Sequence, residues 1–332
     1  MNNFLMCGLG SVGQRHFRNL KELLPDCNID VYCSKRKSYR IFDNDLNIRY
    51  NSNLFKEYDI NNLYHNLDDL KQNYDTVIIC SLPPERIDIA IEFAKKDTNL
   101  FIEKPLSNNM DKVLELEKII NSKNLFCAIG FQMRFHPILK QVKKLIKSNF
   151  FGSLYYIDVI HSNSMKNWTK GRNLKDDFYA LNYKEGGGVA ISQCHEIDYI
   201  NWLFDAKLKV EAVNGACVKY PVEDTVTMLG SLKDNISVNI HLDFLSPKPI
   251  RTLRILGTKN SIQVDILRGE IYYRDKGSLE NFSIPDWNYL FLTEMDAFLR
   301  TLKKKKWQEP LADIYAGIES LETIDRIKKL SI

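Results

Sequence analysis

Residues 7–13, CGLGSVG, place glycines at 8, 10 and 13 directly behind the apolar run FLMCG (4–8) and directly ahead of a helical pattern, 11–24, that stops near Pro25. G-x-G-x-x-G at a strand-to-helix junction permits a tight turn, lets the backbone approach a pyrophosphate, and allows the helix to pack closely on the strand. The amides at the start of the helix, from Ser11, Val12 and Gly13, would face the phosphates. A second apolar run, IDVYC (29–33), follows. Strand, glycine turn, helix and strand in this order predict a parallel sheet carrying a dinucleotide.

The end of the second strand reads on the nature of that dinucleotide. A site for a ribose 2′-hydroxyl places Asp or Glu there. This chain instead continues VYCSKRKS (31–38), so Ser34, Lys35, Arg36 and Lys37 follow the strand. A hydroxyl and three cations suit a 2′-phosphate, and no carboxylate is present to repel one. Asp30 lies mid-strand, too early to reach the ribose. NADP(H) is therefore expected over NAD(H).

Working outward, strand-like runs at TVIICS (76–81), NLFIEKP (99–105) and LFCAIGF (125–131) alternate with helical patterns after Pro83-Pro84 and over 109–121. This alternation predicts a doubly wound parallel sheet with helices on both faces. The Asn-rich stretch 43–73 is expected to hold a weak strand near Ile48 and a helix over Leu63 to Leu70. Ligands collect outside the carboxyl ends of such strands, which adds Ser81, Glu103 and Lys104 to the candidate cofactor residues.

After Pro137 the pattern changes. A helix (138–148), a strand (154–161) and a polar stretch lead to GGGVAISQCHEIDYINWLFD (186–205), read as one long helix. Mostly alternating strands follow at 209–218, 225–232, 236–245, 251–257, 260–266 and 270–274, then helices near 289–304 and 312–329. Strands joined by short turns predict a largely antiparallel open sheet. The expected division is a dinucleotide-binding domain over 1–125 and a second α/β domain over 126–332, since 332 residues exceed one compact core.

Composition narrows the classes further. With 44% apolar and 27% charged residues, the chain reads as a folded soluble protein. The net charge of +4 is dispersed, apart from Lys303–Lys306 at a helix end, so no nucleic-acid face is expected. No apolar run reaches membrane-spanning length, and the N-terminus lacks the features of a signal peptide. Seven cysteines without a C-x-x-C pair suit a reduced, cytoplasmic protein, and no metal site is read from the sequence.

CGLGSVGQRH (7–16), E-K-P at Glu103–Pro105, GFQMRFHP (130–137) and the 186–205 stretch together resemble the Gfo/Idh/MocA family of nicotinamide-dependent oxidoreductases, in order and over essentially the whole chain. The resemblance implies an N-terminal Rossmann domain and a C-terminal α/β domain whose open sheet often forms oligomer contacts, hence a homodimer or homotetramer. It implies an active site between the domains, with the E-K-P lysine at Lys104 and the helix-borne histidine at His195. The chemistry agrees: a histidine titrates near neutral pH and can exchange the proton of a secondary alcohol, while an ammonium stabilises charge developing on the substrate oxygen.

Many family members carry Asp three or four positions before the histidine. Here Ile191 and Ser192 stand there, so Ser192 joins the catalytic candidates as a weaker partner, and Asp198 could orient the imidazole or serve structure. Arg134, Trp168, Arg172 and Tyr183 are candidate substrate contacts, with His195. The expected function is NADP(H)-dependent hydride transfer to or from a secondary alcohol or ketone of a sugar or nucleotide sugar. The resemblance extends to branches linked to surface polysaccharides. A redox-neutral glycosidase- or epimerase-type enzyme and a non-catalytic NADP(H) sensor remain the alternatives.

Overall fold

Every residue of β1 (Asn3–Cys7) after Asn3 is buried, as suits a strand covered on both faces of a parallel sheet. The computed structural model describes residues 3–34, 40–43, 47–49, 57–70, 72–169 and 179–331. From β1 the glycine turn leads into α1 (Ser11–Leu23), and β2 (Asn28–Tyr32) returns parallel to β1. A small hairpin, β3 (Ile41–Phe42) with β4 (Ile48–Arg49), and a short β5 (Leu63–Tyr64) follow. Then come β6 (Thr76–Ile79), α2 (Pro83–Lys95), β7 (Asn99–Glu103), α3 (Val113–Lys123) and β8 (Cys127–Gly130).

The helix expected over Leu63 to Leu70 is instead β5 and a single 3-10 turn, Leu67–Asp69. Strand β2 explains the difference. Its outer N–H groups need acceptors, and Val31 and Cys33 find them in the carbonyls of Asn62 and Tyr64 at 2.8 and 2.9 Å. A sheet edge with unpaired donors outweighs a weak local helix preference.

The strand order is β5-β2-β1-β6-β7-β8, all parallel, with β17 (Ala312–Asp313) antiparallel at the β8 edge. Chain direction across the sheet reverses between β1 and β6, and the carboxyl ends of these strands meet there. Open α/β sheets hold their ligands at such a switch point. Val77, Ile78 and Ile79 of β6 are fully buried, each contributing about 1.5–3 kcal/mol through burial.

In the second half, α4 (Pro137–Lys147) leads to β9 (Leu154–Ser162), and α5 (Met165–Thr169) to α6 (Val189–Ser192) and α7 (His195–Phe204). Next are β10 (Lys209–Ala216), β11 (Thr225–Ser231), β12 (Ser237–Asp243), β13 (Ile250–Gly257), β14 (Ser261–Asp265), β15 (Glu270–Tyr273) and β16 (Ser278–Asn281). They form one eight-stranded sheet ordered β10-β11-β12-β9-β13-β14-β15-β16, antiparallel except where β12 meets β9. Alternate residues such as Val159, Met228, Ile240 and Leu253 are buried on one face, giving the sheet one packed side. Helices α8 (Trp287–Lys304) and α9 (Ile314–Leu330) complete the chain.

The chain divides into two compact units, residues 1–132 with 287–317 and residues 133–286 with 318–332. The first unit is thus built from two stretches of sequence, because α8 packs against α1 and β17 extends the parallel sheet. A single cut along the chain, as expected near residue 125, does not represent this return. Among the described residues, no helix is long and apolar enough to cross a membrane.

The 186–205 stretch is not one helix. Helix α6 ends at Ser192, Gln193 adopts φ −99° and ψ 32°, and α7 restarts at His195. The Gln193 amide donates to the carbonyl of Asp243 on β12 at 3.0 Å, which holds the break in place.

Candidate active site

In the first unit, the glycine turn is cut to fit the sheet beneath it. Gly8 has φ +92°, and a Cβ there would lie 2.7 Å from the Ser81 amide and 2.8 Å from the Cys80 carbonyl carbon. A Cβ on Gly13 would overlap the Gly8 carbonyl oxygen, whereas one on Gly10 would meet nothing within 4 Å. Two glycines therefore close the turn on protein and the third leaves open space above it. Gly10 caps α1 without a side-chain bond, and no acid stands in the first turn. An open backbone at a helix N-terminus fits a pyrophosphate. The Ser81 hydroxyl beside this turn is buried without a hydrogen-bond partner among the described residues.

Ser34 lies two residues beyond β2, half-buried, while Lys35, Arg36 and Lys37 lie outside the described residues. Asp30 is 1% exposed and fully engaged. It accepts from Asn61 and Asn62, each at 3.0 Å, from Gln72 at 2.7 Å and from Tyr74 at 2.8 Å. Its carboxylate ties β2 to the following loops and has no acceptor capacity facing a ribose.

Lys104 begins the loop after β7, half-buried, and its peptide bond to Pro105 is cis. The carboxylate of Glu103 is turned into the protein. Its Oε1 lies 2.8 Å from His16 Nε2, and its Oε2 accepts the Lys104 N–H at 3.0 Å. Burial opposes charge on Glu103, but the His16 hydrogen bond and the positive charges of Arg86 and Lys104 outweigh it, holding the carboxyl below its usual range. Arg86 donates to the carbonyls of Ser81 at 2.9 Å, Glu103 at 2.6 Å and Pro105. It thereby ties the loop after β6 to the loop that carries Lys104.

In the second unit, His195 is 7% exposed in the first turn of α7 and Ser192 is 4% exposed at the end of α6. Two buried ion pairs root α7. Arg134 grips Asp198, and Arg251 Nε donates to Glu196 Oε1 at 2.7 Å, with His161 Nδ1 3.1 Å from Glu196 Oε2. Burial raises the Glu196 carboxyl, yet the charges of Arg251 and His161 prevail and bring it down to about 2.

The start of α6 is anchored by Glu223. Gly188 has φ +114°, and a Cβ there would overlap the Glu223 carboxylate. The Glu223 carbonyl accepts the Val189 N–H at 2.9 Å, and its carboxylate hydrogen-bonds the Ala190 backbone. Burial nevertheless raises the Glu223 carboxyl above its ordinary value. Tyr183, 49% exposed, accepts the Glu223 N–H at 2.6 Å through its hydroxyl. Trp168 packs on Phe244 with ring centroids 5.5 Å apart. Arg172 lies outside the described residues.

Sequence reasoning passed over His16, Arg86, Glu223 and Arg251. Arg86, Glu223 and Arg251 hold a backbone or a helix in place and His16 holds the Glu103 carboxylate, and a side chain's type does not name so distant a partner. Among the described residues there is no group of three or more His, Cys, Asp or Glu side chains able to hold a metal ion.

A glycine turn at the crossover of a parallel sheet, with a lysine at the end of the next strand but one, defines a dinucleotide-binding protein of the Rossmann class. The model of an oxidoreductase family's NAD-binding Rossmann fold matches residues 2–131, and that of the same family's C-terminal alpha/beta domain matches residues 143–331. The chain belongs to the Gfo/Idh/MocA oxidoreductase family.

Among curated relatives, an inositol 2-dehydrogenase of Acidothermus cellulolyticus is 24% identical, over 71% of this chain and 64% of its own. The trans-1,2-dihydrobenzene-1,2-diol dehydrogenase of Xenopus laevis is 22% identical, over 57% and 55% respectively. The chain spans about half the length of the curated relatives it matches.

Among solved structures, the myo-inositol 2-dehydrogenase of Lactobacillus plantarum has a TM-score of 0.77 at 19% identity, covering 100% of this chain and 97% of that one. The WlbA dehydrogenase of Bordetella pertussis, solved with NADH and UDP-GlcNAcA, has a TM-score of 0.80 at 16% identity, covering 99% and 96%. At these identities the likeness is one of fold.

Proposed function

We propose that this chain is an NADP(H)-dependent oxidoreductase acting on the secondary alcohol or ketone of a sugar or nucleotide sugar. The observation that carries the reading is the clamped Lys104 loop, bound through Arg86 to the loop that supports the glycine turn. A lysine held this firmly at the ligand end of a parallel sheet serves a ligand better than it serves the fold. Relatives and fold neighbours named as inositol and nucleotide-sugar dehydrogenases support the substrate class.

A nicotinamide, when bound, supplies the hydride acceptor or donor. Lys104 orients the substrate oxygen and stabilises its developing charge. His195 takes the hydroxyl proton on oxidation and returns it on reduction. Ser192 offers a hydroxyl in place of a carboxylate and contributes orientation. Phosphate preference is supported by the engaged Asp30 carboxylate and by Ser34, Lys35 and Arg36 beyond it. Arg134, Trp168, Arg172 and Tyr183 are proposed on the substrate side, Arg134 acting through Asp198.

The test is turnover of inositols, hexose phosphates and UDP-N-acetylhexosamines with each cofactor, followed by nicotinamide absorbance. The expected result is a kcat/KM at least about tenfold higher with NADP(H), for a difference of roughly 1.4 kcal/mol. Lys104→Met and His195→Ala should each lower kcat with cofactor affinity retained. An NAD(H) preference overturns the cofactor reading. Cofactor binding without turnover of any alcohol overturns the enzymatic one.

A further inference from the structure

We propose that His16 is a positioning residue for Lys104, acting through the Glu103 carboxylate on the backbone from which the lysine side chain departs. The inference rests on the reading of Lys104 as a substrate-handling group.

The geometry is a short relay within the first unit. His16 lies on α1, the helix that opens at the glycine turn, and it is completely buried. Its Nε2 stands 2.8 Å from Glu103 Oε1, and the other oxygen of the same carboxylate accepts the Lys104 N–H at 3.0 Å. Phe101 and Phe291 meet the imidazole edge-on, at centroid distances of 5.0 and 5.6 Å, so the ring has one orientation. On the far side Gly130 lets the carboxylate approach, since a Cβ there would sit 3.0 Å from Glu103 Oε1. Arg86 holds the carbonyls on either side of Lys104, those of Glu103 and Pro105.

A buried histidine bonded to a buried carboxylate could serve stability alone. The relay's placement argues for more. The carboxylate's second oxygen goes to the amide of Lys104 itself, so a shift of the imidazole is passed to the lysine backbone. A misplacement of about 1 Å can cost on the order of 100-fold in rate. The same helix begins at the candidate phosphate turn and carries His16, so one rigid element sets both the cofactor turn and the lysine.

The experiment compares His16→Leu, Glu103→Gln and Lys104→Met, alone and combined, using NADPH fluorescence for binding and UDP-N-acetylglucosamine with NADP⁺ for turnover. Hydrogen exchange of the peptide covering residues 103–107 is read without cofactor. His16→Leu should speed exchange there while leaving β6 unchanged. It should lower kcat on the order of 10- to 100-fold with cofactor Kd within about threefold. It should cause no further loss in the Lys104→Met background, because a group acting through Lys104 has nothing left to position.

Should His16→Leu fail to fold, Glu103→Gln, which keeps the shape but loses the charge, is expected to show the same kcat-only loss. Unchanged exchange and kcat in these variants overturns the inference. So does an equal further loss in the Lys104→Met background, which marks a purely structural role. Full turnover by Lys104→Met removes the lysine assignment and this inference with it. An inactive Lys104→Met beside a fully active His16→Leu removes this inference alone.

Discussion

Arg134 meets Asp198 through two parallel bonds, Nη2 to Oδ1 at 2.7 Å and Nε to Oδ2 at 3.0 Å, with side chains 10% and 1% exposed. The guanidinium anchors α7 one turn beyond His195, so Asp198 has a strong cationic partner apart from any imidazole. Removing one member of such a buried pair leaves an uncompensated charge, at a cost of about 3–5 kcal/mol. Arg134→Met should therefore lower the urea midpoint sharply. The double variant Arg134→Met with Asp198→Leu should recover most of that loss, because no buried charge is left unpaired. If the double variant is as unstable as the sum of its parts, the pair is not the cause.

Gly188 and Glu223 make a second prediction. Gly188→Ala brings a methyl group into the Glu223 carboxylate and also strains a backbone at φ +114°. Positive φ in a non-glycine residue costs of order 1–3 kcal/mol. The start of α6 should shift, with loss of turnover and of near-ultraviolet dichroism. Adding Glu223→Ala relieves the collision and leaves the strain. The double variant should therefore recover stability in part, and full recovery would mean that the backbone angle carries no cost.

The features legible in the sequence are those set by local rules. The glycine turn is readable because φ and close approach demand glycine there, and the parallel sheet follows from the alternation of strands and helices. The motifs that carry the family resemblance mark Lys104 and His195 as candidates. The pairings that hold those motifs were not readable. His16–Glu103, Arg134–Asp198 and Arg251–Glu196 join residues 87, 64 and 55 positions apart, and no local periodicity encodes a partner at that distance. The break at Gln193 was hidden for the same reason, since neither proline nor glycine marks it and its amide answers to a carbonyl on β12.

His136 gives the fold a dependence on pH. It caps α4, its Nδ1 accepting the Ile138 N–H at 3.3 Å. Burial, with the charge of Arg251, pulls its pKa from 6.5 down to about 4. Because the folded value is depressed, the unfolded chain binds the proton first as pH falls. The contribution is complete above pH 6.5 and is lost progressively down to about 4, worth on the order of 3 kcal/mol for a shift of this size. His136→Asn keeps a good capping side chain and cannot titrate. Its melting temperature should fall less than that of the wild type between these pH values. Parallel curves would assign the slope to other groups.

Ser192 carries the last prediction. It stands at the end of α6, 4% exposed, where many family members are expected to place an aspartate. A hydroxyl can orient a neighbour but cannot accept a proton as a base, so its part in turnover should be small. Ser192→Ala should cost less than about tenfold in kcat, against about 10²–10⁴-fold for His195→Ala if the proposed general acid–base role of His195 holds. Installing the carboxylate should not raise activity. Ser192→Asp buries a charge in a site whose neighbours did not form around one, so its carboxyl should be pushed up and its stability at neutral pH reduced. Denaturation midpoints and kcat across a pH series check both statements. A Ser192→Asp protein that is stable and faster than wild type would show that the site retains a place for the missing carboxylate.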